Sequence, residues 1–194
     1  MRKHGEKMEY VYLKKLYNKS LFDVNAIEEN IQMIFYSVLA FFIPFFLGHP
    51  QWIVGIIVNA ALILGATYLK RYKLLPVILL PSLGVMTAGL IFGTYTIFLL
   101  YLVPFIWLGN AVYAYLFKHL TFMKMNKLLG IVISSLVKAG LLFGVTFVMV
   151  SLNVLPALFL TAMGVLQLIT ALAGGVIAIG MIKGREKFVV RKNN

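Results

Sequence analysis

Lys138 lies eleven residues beyond Lys127 and twelve before Val150, inside a run that is otherwise apolar. An unpaired ammonium in the middle of a bilayer costs roughly 3 kcal/mol or more, so a lysine at this position needs a reason. The six acids are Glu6, Glu9, Asp23, Glu28, Glu29 and Glu186, and the chain from Asn30 to Arg185 contains no carboxylate. No acid within that stretch can therefore neutralise Lys138. Three outcomes remain open: burial deprotonates the amine, the side chain snorkels to the near surface, or an anionic ligand or carbonyl cage receives it. Side chains on a helix tilt toward its N-terminus, so the ammonium can reach to roughly 10 Å from the cytoplasmic surface.

Other polar residues come to a similar depth. Asn59 and Asn110 each lie eight to eleven residues from a basic loop, which is about 12 to 16 Å of helix. Trp107, Asn110 and Tyr113 share one helical face, and an indole beside an amide can stack on and orient a planar ligand. Trp107 is also too deep for an interfacial aromatic belt. Thr161, Gly164, Gln167 and Thr170 recur every third residue, giving one polar or small strip. Gln167 within it suits either an interhelical hydrogen bond or a ligand contact. Ser134 and Ser135 either bond their own backbone or extend the polar wall. Lys138, Trp107, Asn110 and Gln167 are the candidate binding set: a cation for a carboxylate or phosphate, a stacking surface, and two orienting amides.

Enzymatic chemistry finds little to work with, and the expected protein is not an enzyme. His4, His49 and His119 are far apart and none has metal-ligand spacing with another. No Gly-rich phosphate loop ends in lysine, no Gly-x-Ser-x-Gly elbow is present, and no core acid is available for proton transfer. The absence of cysteine removes disulfides, thiolate metal sites and thiol nucleophiles together. No cofactor is expected.

The elements that would position these residues follow from composition. Of 194 residues, 61% are hydrophobic and 12% charged, about half the charged share of a soluble domain, so the chain reads as an all-α polytopic membrane protein. Against the roughly 20 apolar residues that a crossing needs, six spans are expected: Ile31 to Leu47, Trp52 to Leu69, Leu74 to Phe92, Tyr95 to Phe117, Leu128 to Val150 and Val154 to Ile182. Gly93 and Thr94 alone separate the third from the fourth. The net charge of +12 is a matter of topology and does not indicate nucleic acid. Every basic residue except Lys138 falls before the first span, in the second or fourth connection, or in the tail, while turns 48–51, 93–94 and 151–153 carry none. That asymmetry places both termini in the cytoplasm.

Residues 1–30 form a leader, 31–182 the six-helix domain and 183–194 a basic tail. The leader is too long and too acidic for a signal peptide. Its interleaved Tyr10, Val11, Leu13, Leu16, Tyr17, Leu21, Phe22 and lysines fit a helix in the cytoplasmic interface, a solvated basic segment, or a docking surface for a cytoplasmic partner. Small residues at Ala61-xxx-Gly65, Gly140-xxx-Gly144 and Gly174-Gly175 predict close helix contacts. Pro44, Pro81 and Pro104 fall inside spans, where they read as ordinary tolerated kinks, although freed carbonyls there can also line a cavity.

The chain resembles the substrate-binding membrane subunits, or S components, of energy-coupling factor (ECF) vitamin transporters. The resemblance rests on the six-span layout with cytoplasmic termini. It rests also on Gly109-Asn110-Ala111-Val112, Lys138-Ala139 and Gln167-Leu168-Ile169-Thr170-Ala171 leading into Gly174-Gly175. It covers roughly residues 30 to 182. It implies capture of a small, anionic vitamin or precursor at the cell membrane, through the fourth to sixth spans and the outer loops. It also implies a partner transmembrane subunit and two cytoplasmic ATPases, since no nucleotide motif is present here. Two other classes stay open: a noncatalytic scaffold or assembly subunit whose Lys138 pairs with a partner's acid, and a self-contained small secondary carrier or channel.

Overall fold

A computed structural model describes residues 16–22, 24–47, 49–89 and 93–193, with the side chains of the final helix described as far as Lys187. The described residues are mostly helical and contain no strand. The helices are α1 (Ala26–Leu47), α2 (Gln51–Tyr68), α3 (Leu75–Ala88), α4 (Leu99–Phe122), α5 (Lys127–Ser151), α6 (Leu158–Met163) and α7 (Val165–Asn193). Short 3-10 segments, Arg71–Leu74 and Gly93–Phe98, precede α3 and α4. Among the described residues, five stretches are long and apolar enough to cross a membrane: α1, α2, the 3-10 segment with α4, α5, and α6 with the first part of α7.

Most expected boundaries fall within a few residues of the observed ones, with three informative differences. The helix of the first span begins at Ala26, inside the expected leader, because Asn25 caps it: Asn25 Oδ1 accepts from Glu28 N at 2.8 Å. Acidic Glu28 and Glu29 then occupy the positive first turn. The expected third span is a helix of only 14 residues, about 21 Å long. Gly89, at φ 65°, ends it in a left-handed cap. The sixth expected span is broken at Gly164, and its helix continues through the expected tail to Asn193. Leader residues 1–15 lie outside the described residues.

Helix α2 is the centre of the bundle. Two-thirds of it is buried (67%), against 17% of α1, and every residue from Val58 to Tyr68 is buried. Glycines set the closest approaches. A Cβ on Gly174 of α7 would stand 2.5 Å from Ile56 O and 2.8 Å from Ala60 N of α2, and one on Gly84 of α3 would collide with Phe41 O of α1. The expected contact at Gly140-xxx-Gly144 is not made. Both glycines are exposed, with nothing within 4 Å of a built Cβ, because the spacing permits close packing without choosing the face that packs.

The charges gather at one end. Glu28 pairs with Arg185, Glu29 with Lys73 at 2.8 Å, and Lys127 with Glu186 at 3.0 Å, which brings the start of α1, the α2–α3 connection, the start of α5 and the end of α7 together. The C-terminus of α2 is closed there as well. Thr67 O accepts from Leu21 N at 2.8 Å, Glu29 Oε1 accepts from Lys70 N at 2.7 Å, and Leu69 O accepts from the buried Lys118 Nζ at 3.2 Å. Lys118 thereby lies at the negative end of the α2 dipole. It also shows that α2 and α4 end at the same side, so the chain must pass to the opposite side between the end of α2 and the start of α4. Lys118→Met is expected to lower stability by about 1 to 2 kcal/mol, measured as a fall in the melting temperature of the detergent-solubilised protein.

Candidate ligand-binding site

A cavity of about 90 Å³ lies among all seven helices, α1 to α7, at the half of the bundle away from the charged end. This is room for roughly seven waters. Pro44, Gln51, Leu99 and Met163 surround its upper part, next to the connections that lack basic residues. Asn59, Asn110, Lys138 and Thr170 line it more deeply, Asn59 lying eight residues or about 12 Å of helix below Gln51. Val54, Val58, Val85 and Ile106 make most of the wall apolar.

Lys138 is 2% exposed and does not snorkel. Its ammonium donates to Asn59 Oδ1 at 2.6 Å and stands 5.2 Å from the ring centroid of Tyr113. Each partner is held in turn. Asn59 Nδ2 donates to Gly55 O at 2.8 Å and to Thr170 Oγ1 at 3.2 Å, and Thr170 donates to Leu166 O at 2.8 Å. Tyr113 donates to Ala171 O at 2.7 Å. Gly55 makes this possible, since a Cβ there would press on Thr170. The network ties α5 to α2 and α7 through an amide, a hydroxyl and a ring, with no carboxylate. Glu28, Glu29 and Glu186 are paired at the other end.

Of the four candidate residues, three line the cavity: Asn110, Lys138 and Gln167. Asn110 Nδ2 donates to Ile78 O at 3.0 Å. The fourth, Trp107, is not among the lining residues. Its indole N–H donates to Ser82 Oγ at 2.7 Å and Leu79 O at 3.1 Å, so it fastens α4 to α3. Both bonds fall beside Pro81, which has no N–H and whose ring crowds the carbonyl of Val77. Trp107 thus supports the wall on which stacking was expected. Trp107→Phe is expected to cost about 1 kcal/mol of stability, the scale of interhelical hydrogen bonds in bilayers, and to change ligand affinity less than about threefold in a titration.

The strip read at every third residue does not stay on one face. Thr161 is exposed whereas Thr170 is buried, because the break at Gly164 falls between them. Ser134 bonds Gly130 O and Ile131 O of its own helix, and neither it nor Ser135 lines the cavity. Asn59 proves to be the direct partner of Lys138; matching depth was its sequence signal. Gln51 and Ser82 had no signal beyond being polar next to an apolar run. No protein-family model, curated protein or solved structure matches the chain.

Proposed function

We propose that this chain is the substrate-binding membrane subunit of an ECF-type uptake transporter, which captures a small anionic vitamin or precursor from outside the cell. The observation that carries the reading is Lys138: a buried ammonium lining a small cavity, held by an amide and, among the described residues, supplied with no counter-charge. An anionic group entering the cavity would complete it. A ligand carboxylate or phosphate is the partner that the lysine lacks, with Asn110 and Gln167 as orienting amides.

The topology proposed with it is six spans, both termini cytoplasmic, in the cell membrane. It is supported by the confinement of basic residues to one end, where short loops retained in the cytoplasm hold lysine and arginine. A sixth crossing is supported by the shared direction of α2 and α4, since α3 and its flanking segments must return the chain between them. The cavity is then nearer the outer side, as capture from outside requires. Onward transport needs a partner membrane subunit and cytoplasmic ATPases, because this sequence carries no nucleotide-binding motif.

Gently extracted protein is expected to carry a small acidic molecule in native mass spectrometry and to co-purify with a second membrane protein and ATPases. Recovery with a membrane partner alone and no bound molecule would favour a scaffold. Anion flux into liposomes holding only this chain would make it a self-contained carrier.

A further inference from the structure

The cavity holds more chemistry than one cation, and its second polar region is of a different kind. Above the Lys138 network, Gln51 and Gln167 present carboxamides that take no hydrogen bond within the described residues. Each is a donor and an acceptor at once. Gln167 is one turn from Thr170, which places its amide toward the mouth. The helix is interrupted beside it, at Gly164 between α6 and α7. Ala162, Met163, Leu166 and Gln167 all border the cavity. Non-helical backbone at this depth is tolerated where it lines a polar cavity or is buried in protein.

Resting on the anion-binding reading above, we infer that the cavity is built for a short monoanion whose opposite end is a neutral, amide-like group, and that it excludes ligands carrying an ammonium. The floor takes the acid at Lys138. The mouth offers mixed donors and acceptors, which an amide satisfies in both senses; a second carboxylate only accepts and an ammonium only donates. An ammonium fares worst. It would enter a space already holding Lys138 in a core with no carboxylate from Asn30 to Arg185, and like charges brought together without counter-charge are strongly disfavoured.

Four probes of similar length separate these cases: 5-amino-5-oxopentanoate, hexanoate, 5-aminopentanoate and pentanedioate. Each is titrated against the purified full-length protein by calorimetry or ligand-observed NMR. The amide acid is expected to bind at least tenfold tighter than 5-aminopentanoate and pentanedioate, and severalfold tighter than hexanoate. Gln167→Leu, at a half-buried position that the fold tolerates, should erase the preference over hexanoate while binding still depends on Lys138. Equal or tighter binding of the ammonium acid or the diacid overturns the inference yet leaves an anion site in place. An amide preference that survives Gln167→Leu and Gln51→Leu together overturns the assignment of the mouth. If none of the four binds in a Lys138-dependent way, the inference and the anion-binding reading fall together.

Discussion

Lys138→Met is expected to weaken capture of the acidic ligand by about thirtyfold or more while leaving the protein folded. The magnitude follows from the setting: truncating one partner of a buried, hydrogen-bonded charge pair costs roughly 2 kcal/mol or more. Methionine keeps most of the length and volume of the lysine stem, so the cavity wall retains its shape. The fold should tolerate the change because a desolvated ammonium with no carboxylate partner contributes little net stability, and an apolar replacement of similar volume is often neutral or better. Asn59 loses one donor but keeps its bonds to Gly55 O and Thr170 Oγ1. The measurement is a pair of curves for each protein, one of melting and one of titration. Unchanged affinity with an unchanged melting temperature would remove Lys138 from the site. A large loss of melting temperature would make the lysine structural, held for its bond to Asn59.

That lysine was legible in the sequence for a simple reason. A cation in the middle of an apolar run, with no acid for more than forty residues on either side, is anomalous whatever the fold. The long helices were legible for a similar reason, since runs near the bilayer thickness leave few alternatives. Pairing was not legible. Trp107 and Asn110 share a face, but the acceptors that take the indole and the Asn110 amide nitrogen are two carbonyls and the Ser82 hydroxyl of α3 beside Pro81, and nothing in the sequence says that α3 packs there. The break at Gly164 was hidden because one glycine in an apolar run of 29 residues reads as packing as readily as interruption. It is this break that turns Gln167 and its neighbours into a cavity mouth. The third span was overestimated because Gly89 stops the helix in a left-handed cap before the apolar run ends.

Gly174→Val is expected to cost both the fold and the site. Its environment is backbone: a Cβ there would lie 2.5 Å from Ile56 O, 2.8 Å from Ala60 N and 2.8 Å from Asn59 Cβ. No rotamer change in a neighbour can relieve such contacts, so α7 must move away from α2, the most buried helix. Overpacking of this kind costs typically 1 to 3 kcal/mol even for one added methyl group, and valine adds branched bulk beyond it. The displacement falls next to the floor of the cavity. Thr170 is one turn before Gly174 on α7, and Asn59 faces it from α2, so widening the gap breaks their 3.2 Å contact and frees the amide that holds Lys138. Gly180→Ala on the same helix is the matched comparison, because nothing lies within 4 Å of a Cβ built there. It should be neutral, or stabilise by up to about 1 kcal/mol through helix propensity. Together the two variants separate crowding from loss of glycine as such. If Gly174→Val melts and binds like Gly180→Ala, the close approach of α2 and α7 is absent from the folded protein. The assembly of Asn59, Thr170 and Lys138 into one network would then have no basis.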